Sequence, residues 1–242
     1  MNTQLRERIA ESYARVCEEV AEIATKAGRE PESVRVVVVT KGHPVEIAQA
    51  AAAAGAHDLA ENYPEQGLQK IQEVGTGNGV QWHMIGHVQS RKVRMVVEHY
   101  NMLHSLDSMK LARRLDRFAG EMQHKLPVLI QANVSGEASK YGWQAVSEDE
   151  KLKLAEDVAE LETLPNLEIG GLMTMAPIVS HVDEARPFFE RLRRLSERLA
   201  DEFPKVSWRE LSMGMSSDYA GAIQEGATLV RIGSAIVGPR PT

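Results

Sequence analysis

Apolar residues recur at steps of three and four through the first stretch of the chain: Leu5, Ile9, Tyr13, Val16, Val20 and Ile23. That spacing puts them on one face of an amphipathic helix over about residues 3–28, ended by Gly28. The pattern then changes. VRVVVVT, residues 34–40, is short, β-branched and almost wholly apolar, as expected of a strand covered on both faces. An alanine-rich helix over about 44–54 follows and closes at Gly55. Further strands are predicted at 57–60, 80–85, 101–106, 127–134, 167–173, 207–212 and 228–232. Helices are predicted between them at 64–74, 88–98, 108–123, 148–163, 182–202 and 217–225. The segments 57–60 and 101–106 are the least β-forming of the strands.

Eight strands separated by helices imply parallel pairing, because each return needs a crossover. An open doubly wound sheet and a closed (β/α)8 barrel both fit. The length of 242 residues, near the ~250 of such barrels, favours the α/β (β/α)8 TIM-type barrel. The reading is one domain over 1–242, with the barrel over about 34–238 and the leading helix as an addition. GTGNGV, residues 75–80, precedes a strand instead of following one, so it reads as a turn and not as a dinucleotide fingerprint.

Composition narrows the class. The balance of 28 basic and 34 acidic residues gives a net charge of −6, which offers no support for nucleic-acid or membrane-surface binding. Aromatics are scarce at 5%, and alanine takes up the space. The single Cys17 leaves no disulfide framework and no cysteine zinc cluster, and a cytoplasmic protein is expected. Cys17 itself reads as a half-buried spectator on the first helix. The basic run Lys110, Arg113, Arg114 and Arg117 reads as a solvated helix face.

Barrel chemistry sits at the C-terminal ends of the strands. Lys41, directly after the first strand, would lie in low dielectric, where a neutral amine can form a Schiff base. A surface lysine opening a loop is the alternative. Two Gly/Ser turns follow the last two strands, in ELSMGMSS and VRIGSAIVG, where barrels often hold phosphate. Ordinary tight turns use the same residues. Arg231, flanked by Val230 and Ile232, points either into the barrel or outward to a helix carboxylate. His83 and His87 have metal-ligand spacing but lack a helix to carry it, so no metal site is expected.

Taken in order, VVVVTKGHP, LAENYPEQGLQK, WHMIGHVQSRK, HSLDSMKLA, VLIQANVSGEASKYG, LEIGGLMTMAP, LSMGMSSDYAGAI and VRIGSAIVG resemble the pyridoxal phosphate homeostasis protein family. The resemblance implies a fold-type III barrel like the alanine racemase N-terminal domain, with pyridoxal 5′-phosphate held as an internal aldimine on Lys41. It places Asn62 beside the cofactor ring and Arg231 at the pyridine nitrogen. It assigns the phosphate to Ser212, Met213, Gly233 and Ser234, and cofactor transfer to Lys140. Thr40, Gly42-His43, Ala60, Pro64-Glu65 and Ser234 depart from the family pattern; none of these removes the lysine, the arginine or the turns.

The resemblance further implies a non-catalytic carrier that buffers pyridoxal phosphate and passes it to apo-enzymes, and the lack of an evident exposed apolar patch in the helix patterns points to a monomer. A guanidinium at the ring nitrogen disfavours carbanion chemistry. The chain also leaves no room after its last strand for a racemase's second domain. The alternative is a small amino acid racemase, with His83 or Tyr63 as the second base. A Schiff-base aldolase using Lys41 is a third reading.

Overall fold

The structure is a computed structural model that describes residues 3–75, 79–179 and 182–240. Of the turn expected at 75–80, residues 76–78 lie outside the described residues. In chain order the strands are β1 (Arg35–Val39), β2 (Asp58–Glu61), β3 (Gln81–Met84), β4 (Met102–Leu106), β5 (Leu126–Asn133), β6 (Trp143–Gln144), β7 (Leu167–Met173), β8 (Glu210–Met215) and β9 (Leu229–Ile232). The helices are α1 (Thr3–Lys26), α2 (Val45–Ala53), α3 (Pro64–Val74), α4 (Val93–His99), α5 (Met109–Glu121), α6 (Glu148–Leu161), α7 (Val182–Glu202), α8 (Tyr219–Gln224) and α9 (Ser234–Val237).

Every strand pair is parallel. β1 lies between β2 and β9, and β4 pairs with β5, so eight strands close on themselves as the barrel. The two-residue β6 is an appendage on the end of β5, too short to leave a pattern in the sequence. The strand expected at 207–212 is found at Glu210–Met215. Trp208 is drawn off the sheet by an Nε1 bond to Phe203 O at 3.1 Å, and pairing starts only where Glu210 meets Gly171. The helix expected at 88–98 begins as a 3-10 turn at Ser90–Lys92 before α4.

Alternation along the strands separates two cores. Outward residues such as Val36, Val38, Leu59, Trp82 and Ile130 pack against the helices, where Phe189 of α7 joins them. Each such side chain contributes about 1.5–3 kcal/mol on full burial. The interior holds a small second cluster: Val37, Val39, Ala60, Leu129, Met173 and Leu229. Polar side chains fill the rest of the barrel, among them His83, His104, Ser212 and Arg231.

Helix ends are chemically marked. Ser108 caps α5 by accepting from Leu111 N, and Ser147 with Glu150 forms a full capping box on α6. The leading helix packs on α2, α8 and α9. It is tied there by Arg15 Nη2 to Ala235 O at 3.1 Å and by Tyr219 Oη to Glu19 at 2.5 Å. Cys17 is half-buried on it. On α5, Arg113 reaches Glu160 of α6 and Arg117 lies over Phe118, while Arg114 is half-buried with Nε unpartnered. No described helix is long and apolar enough to cross a membrane.

Candidate functional site

Val37 and Val39 of β1 point inward, and two residues further Lys41 stands at the barrel mouth, half-buried. Among the described residues its amine makes no hydrogen bond or ion pair. Burial lowers its pKa, the nearby cations Arg240 and Arg231 lower it further, and only Glu61 opposes them. The amine is therefore free and more readily neutral than a surface lysine. Behind it, Thr40 is anchored. Lys70 Nζ donates to Thr40 O at 2.7 Å and to Glu61 Oε1 at 2.6 Å, and Thr40 Oγ1 donates to the same carboxylate oxygen at 2.5 Å. This triad lies between the sheet and α3 and fixes the backbone from which Lys41 projects.

Asn62 follows β2, and its Oδ1 is buried with no partner. Its backbone is held by close approach of Gly86, where any Cβ would stand 2.1 Å from Asn62 O. Beside it opens a cleft of about 430 Å³ lined by Tyr63, Ile85, His87, Gln131 and Tyr141. His87 stacks on Tyr141 with ring centroids 4.2 Å apart, and its Nδ1 meets Asp107 at 2.6 Å. Tyr63 is an exposed rim residue.

Two turns close the other side. Gly233 N, after β9, donates to Ser216 Oγ, after β8, at 3.2 Å. Gly214 adopts a φ of +89°, and a Cβ there would lie 2.6 Å from Ala222 Cβ, so the β8 turn depends on glycine. The amides of Ser234 and Ala235 open α9, where helical geometry leaves N–H groups without intrahelical acceptors. Asp218 braces the β8 turn through Met215 N at 2.5 Å. Burial raises the Asp218 pKa, against the pull of that bond and of Arg231.

Arg231 points into the barrel. Nη1 donates to Ser212 Oγ at 2.7 Å and Nη2 to Thr174 O at 2.9 Å. Burial pulls its pKa down to about 10, so it stays cationic at neutral pH. Ser212 is therefore placed with Arg231 and His104 inside the barrel, and the hydroxyl at the turn is that of Ser216. The Met213 side chain packs outward against the helices, which leaves only its backbone on the site side. Lys140 is tethered elsewhere: its Nζ contacts the Glu137 carboxylate, and it bonds Met175 O at 3.0 Å. His83 lies inside the barrel with both ring nitrogens engaged, by His104 at 2.9 Å and Asp58 at 2.7 Å. It is not at the mouth. Among the described residues no group of three or more His, Cys, Asp or Glu is placed to hold a metal.

The mouth thus gathers Lys41, Arg231 and Arg240 around a partner-free amine, facing amide-rich turns. That arrangement suits an anionic carbonyl compound. The sequence reading omitted Arg240 and Ser216, and it placed Thr40 and Glu61 at strand ends without foreseeing that Lys70 joins them. Only the turn after β8 carried a signal, since Ser216 lies in the SMGMSS stretch already singled out.

Comparison with known proteins agrees with this geometry. The family model described as alanine racemase, N-terminal domain, matches residues 12–241. A pyridoxal phosphate homeostasis protein of Vibrio alginolyticus is 42% identical over 218 residues, covering 89% of this chain and 90% of its own. Its Escherichia coli K12 counterpart is 39% identical over 239 residues, covering 96% and 97%. The structure of PipY from Synechococcus elongatus with PLP bound superposes with a TM-score of 0.81 at 33% identity, covering 95% of this chain and all of that one. An alanine racemase of Clostridium difficile shares the fold alone, at a TM-score of 0.68 and 16% identity, and this chain spans 57% of it. On its fold, its mouth and these relatives, the chain belongs to the pyridoxal phosphate homeostasis protein family, built on the alanine racemase N-terminal domain scaffold.

Proposed function

We propose that this protein binds pyridoxal 5′-phosphate at Lys41 and acts in its homeostasis, buffering the cofactor in the cytoplasm and delivering it to apo-enzymes as a monomer. The observation that carries the reading is the half-buried Lys41 amine, without a partner and lowered in pKa, beside two amide-rich turns. The orphaned Asn62 Oδ1 is a second sign that the mouth is shaped for a ligand with polar groups. When bound, pyridoxal phosphate supplies an aldehyde that condenses reversibly with an amine.

The chain's own residues divide the work. Lys41 offers the amine. Gly233, Ser234 and Ser216 offer donors for the phosphate, and Arg240 adds positive charge at the rim. Asn62 would border the ring. Arg231 would present its guanidinium to the ring nitrogen and, being cationic at neutral pH, would discourage a proton there. That weakens the electron sink on which amino acid chemistry depends.

The engagement of both His83 nitrogens inside the barrel supports a carrier over a racemase, since it removes one candidate for a second base. Lys140 remains the candidate for handing the cofactor on. Its ties to Glu137 and Met175 leave it on the rim, between the loops that follow β5 and β7.

Incubation with pyridoxal phosphate followed by borohydride should fix one pyridoxyl group to the peptide containing Lys41, and Lys41→Ala should abolish it. The same label on another peptide in Lys41→Ala would defeat the assignment. Solvent deuterium uptake at Cα across a panel of amino acids should stay at background, whereas exchange at a catalytic rate would establish the racemase.

A further inference from the structure

A continuous line of hydrogen bonds runs through the barrel interior beneath the mouth. Arg231 Nη1 meets Ser212 Oγ at 2.7 Å, and Ser212 Oγ meets His104 Nδ1 at 2.8 Å. His104 Nε2 meets His83 Nδ1 at 2.9 Å, and His83 Nε2 meets Asp58 Oδ1 at 2.7 Å. The residues come from β9, β8, β4, β3 and β2, and every one is buried. At the far end, at the start of β1, the exposed Arg35 reaches Asp58 at 3.5 Å and Glu210 at 2.8 Å.

The two ends dictate the direction of the whole line. A guanidinium only donates and a carboxylate only accepts. With Asp58 accepting, His83 carries its hydrogen on Nε2, and a neutral His83 accepts at Nδ1. His104 then donates from Nε2 and accepts at Nδ1. Ser212 gives its hydroxyl hydrogen to His104, which frees its lone pairs for Arg231. Between the two ends, Ser212, His104 and His83 each donate once and accept once along the line. The other arrangement, with His83 cationic, sends the His104 Nδ1 hydrogen to Ser212. It leaves the Ser212 hydroxyl hydrogen without an acceptor in a fully buried place. Burial above all, with the cation Arg231, holds the His104 pKa well below its ordinary value, which keeps that ring neutral.

We propose that Asp58, His83 and His104 are positioning residues for the cofactor: a one-way hydrogen-bond relay, anchored by a carboxylate at the opposite face of the barrel, orients the Arg231 guanidinium that meets the ring nitrogen. This rests on the binding reading above and extends it to residues that never touch the ligand. Such a line is polarised by the charge at each end, so a change at Asp58 is felt at Arg231.

The test begins with the ligand-free protein. Long-range 1H–15N correlation of ¹⁵N-histidine-labelled protein at neutral pH should show His83 and His104 both neutral and both protonated on Nε2. A doubly protonated His83, or His104 protonated on Nδ1, overturns the relay. The second arm compares His104→Leu with His104→Gln, which keeps one donor and one acceptor. In the folded Leu variant, affinity for pyridoxal phosphate should fall about tenfold or more, the scale of a lost bond to a charged group. The pH midpoint of the loaded protein's visible band should also move, and the Gln variant should restore both. A folded Leu variant with unchanged affinity and midpoint overturns the proposal. Should the Leu variant not fold, Asp58→Asn keeps an acceptor for His83 and removes only the charge; an unmoved midpoint there overturns it equally. If the wild type takes up no pyridoxal phosphate, the binding reading falls, and the ring tautomers still decide whether the relay exists.

Discussion

Glu61 and Lys70 form an ion pair at 2.6 Å, buried between the sheet and α3, with Thr40 bound to both. Removing one partner strands the other charge in low dielectric. Lys70→Met should cost about 3–5 kcal/mol in urea unfolding, the range for breaking a buried pair. The double variant Lys70→Met/Glu61→Leu should cost less than Lys70→Met alone, because it leaves no orphaned charge. Since Thr40 precedes Lys41, the single variant should also slow pyridoxal phosphate uptake.

Arg240 lowers the Lys41 pKa without touching the amine. Arg240→Gln removes that cation, so the amine pKa rises and less of it is neutral at pH 7. Uptake followed by visible absorbance should slow by up to about fivefold, the scale of one exposed charge interaction. The deficit should vanish at high pH, where the amine is neutral in both proteins, apart from a part due to anion attraction that added salt screens.

His104 and Asp58 set the response to acid. The folded protein holds the His104 pKa well below 6.5, so below that pH the unfolded chain binds a proton the folded one refuses. Stability then falls as pH drops below about 6.5. Burial alone would raise the Asp58 pKa, but the hydrogen bond from His83 and the charge of Arg35 bring it below 3.8. Its contribution is present above 3.8 and is lost as pH falls through the lower folded value. Denaturation midpoints measured against pH should show both declines, and His104→Gln should flatten the first while leaving the second.

Gly86 and Ser147 form a matched pair of controls. Gly86→Ala places a Cβ 2.1 Å from Asn62 O and should cost about 1–3 kcal/mol, as other overpacked sites do, with loss of cofactor uptake. Ser147→Ala removes the α6 capping box and should cost about 1 kcal/mol with uptake intact.

The strands were legible because parallel barrel strands are apolar on their outward faces, and even the weak segments at β2 and β4 formed where expected. What misled was pairing. β8 starts three residues late because Trp208 hydrogen-bonds the end of α7's loop, a tertiary choice that periodicity does not record. Lys41 and the glycine turns stood out because their chemistry is local to a strand end. Arg231 had two possible directions until alternation was combined with closure. The relay was hidden for the same reason: Asp58, His83, His104 and Ser212 lie on four different strands, and nothing in any one of them says that their inward positions share a level. The resemblance assigns Ser212 to the phosphate, whereas its side chain faces the barrel axis beside Arg231 and His104.

The barrel closes where β1 meets β9, with Val37 opposite Arg231 and Val38 opposite Ile232. Lys41 extends from one side of that join, and Gly233 with Ser234 extends from the other. A ligand gripped from both sides is a rivet through the seam. Its binding free energy adds directly to the resistance of the seam to opening. In the carrier proposed above, cargo and container would be interdependent: the filled barrel would be fastened, the emptied one loosened at its join, and giving up the cofactor would at the same time be a mechanical relaxation of the protein that held it.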